Sequence, residues 1–260
     1  MCWRDNFNPV RTAVICAGFF DFKEVSCLND HNKIVTATML AAVETGGQVY
    51  GQARWDDYTA PMTNSSKEYT CTLGAYAFYG DEAEQLIQMI FDKGRATFDS
   101  IDDGRIQEML SVNWVSIRWW PSDADVAALK SLISSSIGIE CQKALMSEIR
   151  LPKYISRAVE FGVTGEAEQM MWCEIQHLGG LGPTQRVFKR CLGDYSLDSI
   201  MSALAEDQQD PRYADNGVGS KKYWSRHVAC RDIIEKYADT SDVGASPVKA
   251  DNGVYLRIGG

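Results

Sequence analysis

Apolar positions in residues 34–43 recur close to helical spacing: Ile34, Val35, Thr38, Met39, Ala42 and Val43 fall toward one side of a helix. Asn29 or Asp30 can cap its start, and Gly46-Gly47 can supply the left-handed residue that stops it. The period then changes. Residues 48–59 are rich in strand formers, 61–67 carry the Pro, Asn and Ser of a reversal, and 68–73 read as a returning strand. Beyond residue 80 the helical period returns. The expected helices are 81–93 (stopped by Gly94), 101–110, 123–136, 140–150, 152–161, 165–178, 185–191, 196–205 and 221–237. Ser122 caps the third with Asp125 completing a near capping box, Thr164 caps the sixth, and Gly179-Gly180 ends it. A hairpin attached to a helical lobe is a mostly helical α+β fold, with residues 1–238 as one domain. Residues 239–251 turn small and polar, a linker, and 253–259 read as a strand that docks on a partner.

This pattern leaves Glu44 at the last turn of a half-buried helix. The negative end of the helix dipole and burial both disfavour its ionised form, so its pKa is expected to rise toward the range of a general acid. Asp56 and Asp57 lie on the outgoing strand, where side chains alternate, so one of them turns toward Glu44. A Glu opposed by an Asp is an arrangement that splits a glycosidic bond: one carboxyl protonates the leaving oxygen, the other activates water or stabilises the cation. Tyr50, Tyr76 and the tryptophans of 113–121, Trp114 and Trp119 among them, are candidate stacking surfaces for sugar rings. His177, near the end of helix 165–178, is a candidate cleft residue.

The block Thr72-Leu-Gly-Ala-Tyr-Ala-Phe-Tyr-Gly80 resembles the Ser/Thr-Ile-Gly-x-Leu-Gln-Trp-x-Gly signature of lysozyme-like peptidoglycan hydrolases carried by bacteriophages. There, too, it follows a Glu-x-Gly helix end and a small sheet and runs into a helix. A second patch, residues 167–180, is similar to the helix ending in His/Gln-x-Gly-Gly of such proteins and of the related chitosanases. The resemblance, over roughly residues 30–237, implies a glycoside hydrolase or lytic transglycosylase acting on peptidoglycan strands, used in phage lysis or in wall penetration. Glu44 would be the acid, Asp56 or Asp57 the second carboxylate, and Thr72 would hold the water or that carboxylate. Ala77 stands where the signature has Gln, and the interval from Glu44 to Thr72 is longer. Two other readings are a virion assembly module that keeps the fold without activity, and a chitosanase-like hydrolase of another polysaccharide.

Charge and composition narrow the partners. A net charge of −9 argues against a general nucleic-acid binder and suits a cationic polymer; an anionic wall requires a local basic patch. Candidates for that patch are Arg186, Lys189 and Arg190, then Lys221, Lys222, Arg226 and Arg231. Eight scattered cysteines without a Cys-x-x-Cys pair read as buried free thiols, and three histidines leave no metal-site spacing, so neither metal nor cofactor is expected. No apolar run reaches the length of a membrane span, and 12–20 reads as core rather than a signal peptide. The expected setting is synthesis in a host cytoplasm and action at the wall or in the virion, with other virion proteins docking on the tail.

Overall fold

The helix ending at Glu44 forms as the pattern predicts. A computed structural model describes residues 28–44, 53–63, 68–94, 108–111, 114, 122–238, 248–249 and 255–256. Tyr50, Trp119, most of helix 101–110 and most of the tail lie outside the described residues. In α1 (Asp30–Glu44), Asn29 caps the start by accepting from the Asn32 N–H at 2.8 Å. Val35, Met39, Leu40, Ala41, Ala42 and Val43 are buried, so the last turn carries Glu44 out of the core.

Three short antiparallel strands follow in the order β1 (Tyr58–Thr59), β2 (Thr72–Leu73) and β3 (Phe78–Tyr79). Tyr58 pairs with Leu73, Thr59 with Thr72, and Thr72 with Tyr79. The expected long outgoing strand is corrected: among residues 53–57 the chain turns at Trp55-Asp56, and the Asp57 N–H closes on the Arg54 carbonyl at 3.0 Å. Consecutive aspartates have poor strand propensity and good turn propensity. Asp57 is anchored by its own carbonyl, which accepts from the Gly74 N–H at 2.8 Å. Gln142, fully buried, braces the same corner from the helical lobe. Its amide donates to the carbonyls of Trp55 (3.0 Å) and Ile133 (2.8 Å), and its oxygen accepts from the Ala75 N–H (2.8 Å). Gly74 sits at φ +75°, and a Cβ there would lie 2.1 Å from the Gln142 oxygen. Gly74→Ala is therefore expected to cost roughly 2 kcal/mol or more, measurable as a lowered melting temperature; unchanged melting would show that the brace is dispensable.

The helical lobe comprises α2 (Asp81–Lys93), α3 (Asp123–Ile133), α4 (Ser136–Ala144), a π-helical turn (Leu145–Arg150), α5 (Leu151–Phe161), α6 (Glu166–Gly179), α7 (Leu181–Arg190), α8 (Leu197–Gln209) and α9 (Lys221–Tyr237). The Ser122–Asp125 capping box is complete. Where one helix was expected over 123–136, the chain breaks, because the Ser135 hydroxyl recaps it by accepting from the Gly138 N–H at 3.0 Å. Where two helices were expected over 140–161, the chain runs through without a break, the wider π turn falling just before Pro152. Helix 165–178 is capped at Gly165, one residue later than expected, and α7 starts four residues earlier, directly after Gly180. The tail strand forms, but β5 (Tyr255–Leu256) pairs antiparallel with β4 (Val248–Lys249) of the same chain. The most buried helix is α6, whose residues Gln169 to Gln176 are all inaccessible. It packs against α1 and α9, and the candidate site residues lie where the ends of these three helices face the sheet across a cleft. Cys71, Cys141, Cys173, Cys191 and Cys230 are buried free thiols. Among the described residues no helix is long and apolar enough to cross a membrane.

Candidate active site

A cleft of about 690 Å³ separates the sheet from the α1–α6–α9 junction. Glu44, Asp57, Thr72 and His177 all line it, so four residues picked out from the sequence converge although they come from four different segments. Asp56 occupies the turn beside Asp57 and is not on the cleft wall. Two expected stacking residues are corrected. Tyr76 is only 2% exposed, packed edge-on to Trp55 and against Phe78, and Trp114 is fully buried with its indole N–H donating to the Met109 carbonyl at 2.8 Å. The aromatic surfaces on the cleft are instead Tyr79, Tyr154 and Tyr223.

Glu44 is not isolated. Its Oε1 accepts from Arg226 Nη1 at 2.6 Å, and Arg226 Nε donates to Glu174 Oε1 at 2.7 Å. The other Glu174 oxygen lies 2.9 Å from His227 Nδ1, and His227 Nε2 lies 2.6 Å from the Val218 carbonyl. Glu174, Arg226 and His227 are all sealed from solvent, so this chain of contacts fixes the Arg226 guanidinium where Glu44 needs it. None of these three was singled out as catalytic machinery from the sequence. The available signals were two adjacent basic residues, Arg226-His227, inside a helix with an apolar face, and Glu174 one turn before His177.

The electrostatics differ from the sequence-based expectation. Burial, the largest single influence, pushes the Glu44 carboxyl up, but the Arg226 charge and hydrogen bond, with His177 beside it, outweigh it, and the pKa is lowered rather than raised. Asp57 moves the opposite way, raised by burial and by the neighbouring Asp56 and Glu44 charges against the pull of Arg54 and Lys130. Burial holds Glu174 up too, yet His227 and Arg226 bring it down to about 2. The His177 side chain, only 2% exposed, is pushed by burial to about 3, so it is a neutral imidazole at neutral pH. Its Nε2 lies 3.6 Å from Glu44 Oε1 and its Nδ1 3.4 Å from the Tyr154 hydroxyl. The result is two carboxyls on one cleft with environments that push their protonation apart, the condition for dividing acid and base roles.

Asp56→Asn and Asp57→Asn should accordingly differ. Asp57→Asn is expected to lower any cleft-dependent activity by on the order of 10² or more, and Asp56→Asn to leave it within a few fold. Equal losses in two variants that melt normally would remove Asp57 from the site.

Two solved structures share this fold. The native chitosanase from Bacillus subtilis MY002 matches with a TM-score of 0.52 at 11% identity, over 88% of this chain and 98% of that one. A glutamate-to-alanine mutant chitosanase from the same source, complexed with 6 GlcN, matches with a TM-score of 0.51 at 12% identity, over 89% and 100%. At such identity the likeness establishes the fold: a mostly helical, lysozyme-like α+β architecture with a small antiparallel sheet. No protein-family profile matches the chain, and no curated protein sequence does.

Proposed function

We propose that the chain is a glycoside hydrolase that cuts a polysaccharide in the Glu44–Asp57 cleft. The observation that carries this reading is the pair of carboxyls, from a helix end and a sheet-edge loop, facing one open cleft with tyrosines alongside. Glu44 is the proton donor in the substrate complex. In the free site Arg226 holds its pKa low, and a sugar ring that displaces water from the cleft adds to the burial that opposes this pull. When Glu44 takes up its proton, Arg226 keeps a full carboxylate partner in Glu174, so the buried cation is never left alone. Asp57 activates water or stabilises the developing cation, and Thr72 on β2 helps hold that water.

The finer reading is that the polymer is the glycan strand of peptidoglycan, cut in phage lysis or wall penetration after synthesis in a host cytoplasm, with virion proteins as further partners. Its support is the signature resemblance of Thr72–Gly80 and the helix end at His177–Gly180. A second reading, a chitosan-type polymer, is favoured by the shared fold and by the net charge of −9. Incubating the protein with purified cell walls and with chitosan, and counting new reducing ends, tests both. Release from neither, by folded protein, would favour an assembly module without activity.

A further inference from the structure

The His177 imidazole takes no part in the Arg226–Glu174–His227 chain, yet it is sealed beside Glu44. It comes from the end of α6, and Tyr154 of α5 stands against it with ring centroids 6.2 Å apart. Tyr154 lies one helical turn beyond Arg150, where the π turn ends, and both side chains line the cleft. The His177 ring thus meets the Tyr154 hydroxyl at Nδ1, 3.4 Å away, and Glu44 Oε1 at Nε2, 3.6 Å away.

The ring carries a single hydrogen. Burial above all, helped by the Arg150 and Arg226 charges, keeps it neutral against the pull of Glu44 and Glu174. That hydrogen sits on Nδ1 or on Nε2, and the neighbours decide which. Glu44 is ionised in the free site, because Arg226 holds its pKa low. A bare Nε2 would set a lone pair against this carboxylate in a sealed place, with no other partner among the described residues. A hydrogen on Nε2 faces Glu44 instead, at a distance longer than a full hydrogen bond, as catalytic contacts commonly are before substrate closes the site. Nδ1 is then an acceptor, and Tyr154 is its donor. Burial pushes the pKa of that hydroxyl up, so it keeps its hydrogen at neutral pH.

We propose that Tyr154 is a positioning residue: its hydroxyl donates to His177 Nδ1, which fixes the ring hydrogen on Nε2 facing Glu44 Oε1 and so keeps the catalytic proton of Glu44 on Oε2. Arg226 Nη1 and His177 both approach Oε1, and among the described residues Oε2 has no protein partner. With the other tautomer, Nε2 would be an acceptor beside Oε1 and would draw the proton to the oxygen turned away from the sugar. From Oε2 the proton passes to the glycosidic oxygen as its C–O bond breaks and keeps the electron pair there; Glu44 returns to a carboxylate, and the water that adds to the sugar supplies the next proton. The proposal rests on the reading of Glu44 as proton donor for its catalytic half, whereas the tautomer stands on the geometry alone.

The test labels the ring nitrogens of the three histidines with nitrogen-15 in the full chain and reads each tautomer by NMR at pH 7. Signals missing from His177→Gln belong to His177. The wild type is expected to show His177 as the Nε2–H form. Tyr154→Phe, which keeps the ring and removes the hydroxyl, should let the Nδ1–H form appear. It should also lower kcat on whichever of peptidoglycan strands and chitosan the wild type cuts by on the order of tenfold, as for one lost hydrogen bond, with KM within a few fold. An aryl glycoside whose phenolate leaves without a proton should be cut nearly as well as before. The Nδ1–H form in the wild type would overturn the proposal. So would either change without the other in a Tyr154→Phe protein that melts normally, or an equal fall on polymer and aryl glycoside. Wild-type protein that shows the Nε2–H form, and loses it in Tyr154→Phe, yet cuts neither polymer would instead sink the hydrolase reading and leave the Tyr154–His177–Glu44 arrangement standing.

Discussion

Glu44→Gln is expected to leave the melting temperature nearly unchanged and to lower polysaccharide cleavage by on the order of 10² or more, the loss typical of a missing general acid. The amide is isosteric, and Arg226 retains its 2.7 Å contact to Glu174, so no buried cation is stranded. The loss should depend on the leaving group. An aryl glycoside whose phenolate departs without a proton should be cut by the variant far better than the polymer is. If aryl glycoside and polymer fall equally, Glu44 is acting as base or nucleophile, and the roles of Glu44 and Asp57 are exchanged. Near-normal cleavage of the polymer by the folded variant would remove Glu44 from the mechanism.

The largest effect on stability belongs to a residue that need not touch substrate. Glu174→Ala removes the carboxylate that both Arg226 and His227 use in a sealed environment, and breaking such a buried pair costs about 3–5 kcal/mol. For a chain of this size that is a drop in melting temperature of roughly 10 °C. Activity should fall as well, because Arg226, released on one side, shifts its whole charge onto Glu44 and opposes protonation there. The same groups set the acid limit. His177 is held near 3 against an ordinary 6.5, so the unfolded chain binds its proton first and stability declines as pH falls below about 6.5. Glu174, at about 2 against 4.5, adds a further loss below about 4.5 as it is protonated. Chemical denaturation at pH 7, 5 and 4 should show this descent. A flat profile, or a Glu174→Ala protein that melts like the wild type, would contradict the buried network.

Why the sequence showed so much of the fold and less of the site follows from the range of the interactions involved. Helices 81–93 and 221–237 and the Ser122–Asp125 box rest on spacing and caps within a few residues, and these are readable locally. The break at Ser134-Ser135 and the π turn before Pro152 depend on how Gly138 and Pro152 meet the preceding carbonyls, which a periodicity does not carry. Glu44 and His177 were legible as helix-end residues and Asp57 as a residue beside the edge strand, whereas Thr72, on the central strand, entered only through the signature resemblance. The charge on Glu44 was not. The helix dipole and burial are local and argue for a raised pKa, whereas Arg226, 182 residues away, reverses the sign. Tyr76 and Trp114 mislead for a related reason: an aromatic suited to stacking on sugar is equally suited to the core, and Trp55, Phe78 and the Met109 carbonyl decide it. Arg226 was visible only as one member of a basic run, because its partner Glu174 lies on another helix.

The central claim, that this cleft hydrolyses glycosidic bonds, is tested most directly by digesting purified peptidoglycan strands and chitosan in oxygen-18 water and weighing the products. Shortened chains whose new reducing ends each carry one solvent oxygen, produced by the wild type and nearly absent with Glu44→Gln, are expected. Intact polymers after prolonged incubation with folded wild-type protein, or equal cleavage by wild type and Glu44→Gln, would contradict it.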